Sequence, residues 1–145
     1  MRQETSHSRA DSRLITKQNH SIEAVREVFE AAFFECHVDQ DDDLIVIGEY
    51  RVIVKCNPTM VQLNAIFPAQ KGASWLTVLE SINKMNTELS VPRAYAITDS
   101  FEHALVFDFP VTIGESLSPR TLVEAYRFFE ASLRRAVTFY DGLLR

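Results

Sequence analysis

Residues Leu44–Phe67 read LIVIGEYRVIVKCNPTMVQLNAIF, and the period of this stretch decides the fold. Leu44-Ile45-Val46-Ile47 is rich in β-branched residues, which suit a pleated, half-buried strand. Gly48-Glu49 makes a turn. Tyr50, Val52, Val54 and Cys56 then alternate with Arg51, Ile53 and Lys55. Asn57-Pro58 interrupts the ladder, because proline donates no backbone hydrogen bond and restricts the residue before it. From Met60 the alternation resumes, with Val61, Leu63, Ala65 and Phe67 set against Gln62, Asn64 and Ile66. Residues two apart share one face of a strand, so this pattern is a strand signature. With a short extended segment at Cys36–Asp39 and a turn at Gln40-Asp41-Asp42, it predicts three or four consecutive strands joined by short turns. Such a meander is antiparallel, with one face packed and one wetter. Arg51, Lys55, Gln62 and Asn64 mark the wetter face, which meets solvent or a partner.

On either side of this stretch the period changes to 3.6. Ser21 is an N-cap with Glu23 in the first turn, where the helix dipole favours an acid. Ile22, Val25, Phe29, Ala32 and Phe33 then share a stripe, with Val28 at its edge, predicting a helix over residues 22–34. Downstream, Pro68 to Gly72 is a loop and Ser74 caps a helix over residues 75–89. Its stripe is Trp75, Val78, Leu79, Ile82, Met85 and Leu89, and Pro92 stops it. Arg93–Thr98 and His103–Phe109 are strands around an Asp99-Ser100 turn, with Pro110 and Gly114 marking the exit. Ser118-Pro119 opens a third helix that runs to about Asp141, where Gly142 ends it. The order is helix, meander, helix, hairpin, helix. Strands in uninterrupted groups indicate an α+β fold, α-βββ(β)-α-ββ-α, with the helices packed on one face of an antiparallel sheet.

The chain has 145 residues, 46% apolar and 24% charged, with a net charge of −5. This length suits one compact domain, and the apolar fraction is too high for a disordered chain. Residues 1–19 carry few apolar groups and are expected to form a flexible tail, with Leu14-Ile15 packing where the chain enters the body. Residues 20–145 are expected to form a single domain. No apolar run approaches the ~20 residues that span a bilayer. The polar N-terminus lacks the apolar core of a secretory signal, and there are two cysteines, Cys36 and Cys56. A reducing cytoplasm is therefore the expected setting, with both thiols free and packed. The acidic balance argues against nucleic acid as a partner and suits a basic partner or simple solubility.

No catalytic motif is present, and no phosphate-cradling glycine pattern. Asp39-x-Asp41-x-Asp43 opens like a calcium loop, but the positions that need Gly and Glu hold Leu44 and Tyr50. It reads as a solvated turn. His37 and His103 lack ligands at zinc spacing, and Cys36-His37 project to opposite faces of a strand. A Cys–His pair joining Cys36 or Cys56 to His103 is the one enzymatic reading the residues leave. No catalytic, metal or cofactor residue is assigned.

Asn86 lies within the apolar stripe of the second helix. A buried amide costs a few kcal/mol unless it is hydrogen-bonded, so Asn86 is expected to bond strand or loop backbone. Asn83, at the stripe's edge, is expected to share that structural role. The third helix has a stripe of Leu122, Tyr126, Phe129, Leu133, Ala136 and Tyr140, and Glu130–Arg134 has the spacing of a helical ion pair. Phe128 and Phe139 lie on an adjoining flank with Arg135 beside them. So wide an apolar arc means either deep burial in the monomer or a second packed surface.

The element order, the acidic turn before Leu44–Ile47 and the segment Ile82-Asn83-Lys84-Met85-Asn86 resemble the YbjN family over residues 20–142. That family comprises proposed bacterial sensory-transduction regulators with a type III secretion chaperone-like fold. The resemblance implies a small acidic protein, often dimeric, that holds a partner without nucleotide. It brings no catalytic residues. The function expected is therefore binding of another polypeptide, as a chaperone or regulator and with a homodimer expected. The contact residues would be Phe128, Phe139 and Arg135 on the helix flank and Arg51, Ile53 and Lys55 on the open sheet face. The alternatives are a small-molecule sensor with a pocket near Trp75 and Asn86, and the Cys/His enzyme.

Overall fold

Three serines start the three helices described. Ser21, Ser74 and Ser118 each accept a hydrogen bond from the backbone N–H three residues on, at 3.0–3.1 Å. Each satisfies a donor that a helix start leaves unpaired. The computed structural model describes residues 14–88, 93–99 and 102–139. Its helices are α1 (Ile22–Ala31), α2 (Trp75–Glu88) and α3 (Pro119–Phe139). Its strands are β1 (Glu35–Val38), β2 (Leu44–Ile47), β3 (Arg51–Asn57), β4 (Met60–Pro68), β5 (Arg93–Asp99) and β6 (Glu102–Thr112). Pro92, Ser100, Tyr140, Gly142 and residues 1–13 lie outside the described residues.

The six strands form one sheet in the order β1-β2-β3-β4-β6-β5, every neighbouring pair antiparallel. α2 carries the chain from β4 past one strand position to β5, and β6 returns into the gap. This is the α+β architecture expected from the period. All three helices pack on one face, where Phe29, Met85 and Phe129 join Val54, Leu63 and Phe107 in a single core. The alternation in β4 buries Val61, Leu63 and Ala65 toward the helices. Each large side chain buried this way contributes about 1.5–3 kcal/mol. The stripe of α3 is equally complete: Leu122, Tyr126, Phe129, Leu133 and Ala136 are fully buried.

α3 is also tied to the turn between β2 and β3. The Glu130 carboxylate accepts from the backbone N–H of Glu49 at 2.6 Å and of Tyr50 at 3.3 Å, and Arg134 pairs with Glu49. The expected Glu130–Arg134 pair is thus replaced by contacts with the hairpin, whose turn amides point at the helix. A side chain at Gly48 would meet Glu130 Oε2 at 2.5 Å and the Tyr126 hydroxyl at 2.9 Å, so this approach needs glycine.

One expectation is corrected here. The first helix ends at Ala31, and Phe33 lies beyond it at φ +68°, 97% exposed, not on the packed stripe. The N–H groups of Phe33 and Phe34 bond back to Glu30 and Phe29 at 3.0 Å, and the Phe34 ring packs 5.9 Å from that of Phe29. This is the left-handed helix stop that glycine usually occupies. Leu14-Ile15 is expected to pack where the chain enters the body, and Ile15 does so. Ile15 is buried and exchanges two backbone hydrogen bonds with Leu117, at 2.9 and 2.7 Å.

Candidate interaction site

The second face of the sheet carries no helix among the described residues. His37, Ile45, Ile53, Asn64, Asp108 and Arg93 stand in one row across all six strands of this face. Asn64 and Asp108 are buried. Arg93 closes over Asp108 with contacts of 2.6 and 3.3 Å, and Gln62 reaches the same carboxylate at 3.5 Å. A buried carboxylate without such partners would carry a large desolvation cost. The Asp108 carboxylate in turn raises the Arg93 guanidinium above its ordinary value.

The next two rows are apolar: Ile66, Val106 and Tyr95, then Pro68, Ala104 and Ile97. Ile66 is 46% and Tyr95 38% exposed. On the other side of the polar row, Lys55 pairs with Asp43 at 3.6 Å. The open face therefore has a charged half and an apolar quadrant. Arg51, Ile53 and Lys55 lie on this face as expected, with Ile53 in the polar row and both cations exposed. The apolar quadrant is not legible in the sequence, because it forms only when β6 inserts between β4 and β5.

Phe128 is half-exposed, its ring 5.8 Å from Phe109, and Arg135 is exposed. Both stand on the helix-bearing side. The structure does not join this flank to the open sheet face, so they are two separate surfaces. The Phe139 side chain lies outside the described residues.

Asn86 bonds strand backbone, as expected. Its Nδ2 donates to the Ala94 carbonyl and its Oδ1 accepts from the Ala94 N–H, both at 2.9 Å. It does so from an exposed position at the margin of β5, not from within the core. Asn83 does not share the role. Its side chain is exposed, and its backbone carbonyl accepts from the Thr87 hydroxyl at 2.8 Å.

A pocket of about 250 Å³ lies between the loop Ala69–Ala73 and the start of β6 at Glu102 and His103. The Trp75 ring packs 5.0 Å from that of His103, whose Nδ1 is 3.0 Å from the Thr98 hydroxyl. Trp75 and Asn86 are roughly 16 Å apart along α2 at 1.5 Å per residue. The expected pocket near both residues therefore reduces to one beside Trp75 alone.

The residues considered for chemistry are not brought together. Cys36 on β1 and His103 on β6 are separated by three strands, roughly 19 Å at about 4.8 Å per strand. Cys56 pairs with Val61, whose β6 partner Val111 is roughly 26 Å along that strand from His103. Burial pushes both thiols up to about 11, which leaves little nucleophilic thiolate. In the acidic turn, Asp39 Oδ1 accepts from the N–H of Asp41 and Asp43 at 2.9 Å each. Among the described residues no group of three His, Cys, Asp or Glu side chains could hold a metal ion, and no helix is long and apolar enough to cross a membrane.

This architecture is similar to that of a solved protein. The crystal structure of YbjN from E. coli, a proposed transcription regulator, matches with a TM-score of 0.75. The match covers 87% of this chain and 96% of YbjN at 11% sequence identity. No protein-family model matches the chain, and no curated protein matches it in sequence. The likeness to YbjN establishes a shared fold.

Proposed function

We propose that this chain acts by contact rather than by chemistry, as a regulatory or chaperone-like protein that binds another polypeptide. The observation that carries the reading is the helix-free sheet face, where Ile66 and Tyr95 stand exposed beside a charged half. An exposed apolar patch bordered by charged groups marks an interaction surface. The shared fold with YbjN, itself a proposed transcription regulator, supports a regulatory role. In this reading Arg51, Ile53 and Lys55 line the rim, and Phe128 with Arg135 offers a second, smaller surface. No cofactor is assigned, and a second copy of the chain is among the polypeptides admitted. The test is a photo-reactive phenylalanine at Tyr95, irradiated in cells that express the chain. A discrete polypeptide adduct is expected, and Ile66→Asp should remove it without changing the helical circular dichroism. Absence of an adduct, or an adduct indifferent to Ile66→Asp, would overturn the reading.

The pocket beside His103 favours a second reading, a small-molecule sensor. Trp75, the single tryptophan of the chain, would report it. A metabolite that saturably raises the melting temperature and shifts Trp75 fluorescence would support this alternative. A metabolite screen that moves neither would remove it.

A further inference from the structure

The two ends of the sheet are finished differently. At β5, Asn86 occupies the outward N–H and C=O of Ala94. β1 is the opposite end strand, and among the described residues nothing pairs along its outer edge. The Asp39 N–H bonds inward to the Asp43 carbonyl at 2.9 Å. Antiparallel backbone alternates, so Cys36 and Val38 direct their N–H and C=O away from β2. Such a bare edge is a template for another strand.

Apolar groups flank this edge. Phe33, just ahead of β1, is 97% exposed and held at φ +68°, and Val38 at the other end is 38% exposed. The surrounding charge is acidic. Glu35, Asp41 and Asp42 have no ion-pair partner among the described residues. Of the cations on neighbouring elements, Arg26 is engaged with Glu30 and Lys55 with Asp43, and Arg51 stands exposed on β3, two strands in from Glu35. A second copy pairing β1 against β1 would set Glu35 beside the acidic turn of its partner, acid against acid. A basic strand would instead be matched at both ends.

We infer that β1 is the docking edge for an extended, basic segment of another polypeptide, added to the sheet as a further strand with an apolar side chain against Phe33. Main-chain hydrogen bonds to Cys36 and Val38 supply the pairing, and Phe33 and the acidic flanks supply the preference. This rests on the polypeptide-binding reading and names the edge and the chemistry of the partner.

The test titrates the isotope-labelled full chain with a synthetic octapeptide of alternating lysine and valine, followed by amide NMR. Saturable shifts are expected at Phe33, Cys36 and Val38. N-methylation of alternate peptide amides should weaken binding at least tenfold. Phe33→Gly should weaken it at least fivefold while raising the melting temperature, because glycine is at ease at positive φ. No saturable shift at β1, shifts confined to β5 or to the Ile66–Tyr95 quadrant, or equal binding by the methylated peptide would each overturn the inference. So would unchanged affinity in Phe33→Gly, or self-association through β1. A Tyr95 cross-link that survives a failed titration would remove the β1 edge and leave the polypeptide-binding reading standing.

Discussion

β1 and β5 are the two end strands of one sheet, yet β5 is guarded at Ala94 and β1 at no position among the described residues. β5 is gripped by a side-chain amide that imitates a neighbouring strand, presented by the helix that leads into it. β1 follows a helix that stops short in a left-handed turn, and it exposes Phe33 next to an unpaired edge. The difference teaches that edge protection is applied where it is needed. Beside the apolar quadrant of Ile66, Tyr95 and Ile97, an open β5 would invite indiscriminate pairing. β1 is short and flanked by carboxylates, which discourage self-pairing and leave it open to a basic strand.

The largest expected effect comes from breaking the guard. Asn86→Ala removes two hydrogen bonds and leaves the Ala94 backbone unpaired at the sheet margin, at a cost of about 2–3 kcal/mol. Chemical denaturation should show that loss, and light scattering should show association that grows with concentration. Unchanged stability and a monodisperse solution would mean that Asn86 guards nothing.

A smaller effect belongs to the β1 side. Glu130→Ala removes the carboxylate that holds the Glu49 and Tyr50 amides, an expected loss of about 1–2 kcal/mol. Exchange of those two amides should quicken while that of Ala94 stays as it was. If Ala94 quickened equally, the two ends of the sheet would be one cooperative unit and the contrast between them would fail.

The smallest effect is a matter of protons. Burial pushes Cys36 and Cys56 up to about 11, so the folded chain holds its thiol protons after the unfolded chain has begun to lose them. Their contribution to stability is therefore complete below the ordinary thiol range and is lost as pH rises toward 11. Iodoacetamide at mildly alkaline pH should label both thiols slowly, and Cys36 on the end strand before Cys56 inside the sheet. The reverse order, followed by mass spectrometry, would argue that β1 is covered.

Much of this architecture is legible in the residues themselves. The alternation from Tyr50 to Phe67 marks the two faces of β3 and β4, and the three serine caps place the helix starts. The clean stripe from Leu122 to Ala136 identifies the buried side of α3. What is not legible depends on contacts distant in sequence. Glu130 and Arg134 have ideal helical spacing for each other, yet both turn to the Gly48–Tyr50 turn, which spacing along the helix cannot reveal. Phe33 continues the apolar stripe of α1 in register, but the backbone reverses after Ala31 and sends it outward. The apolar quadrant draws single outward residues from β4, β6 and β5, none conspicuous alone. Asn86 is the intermediate case: its need for a backbone partner is readable, while its post at an edge strand depends on where β5 lies.

Amide hydrogen exchange on the full chain tests the asymmetry of the two edges most directly. The outward Ala94 amide should exchange at least a hundredfold more slowly than those of Cys36 and Val38, which should approach the rate of unpaired backbone. Equal protection at the two ends, or slow exchange at Cys36 and Val38, would contradict the account.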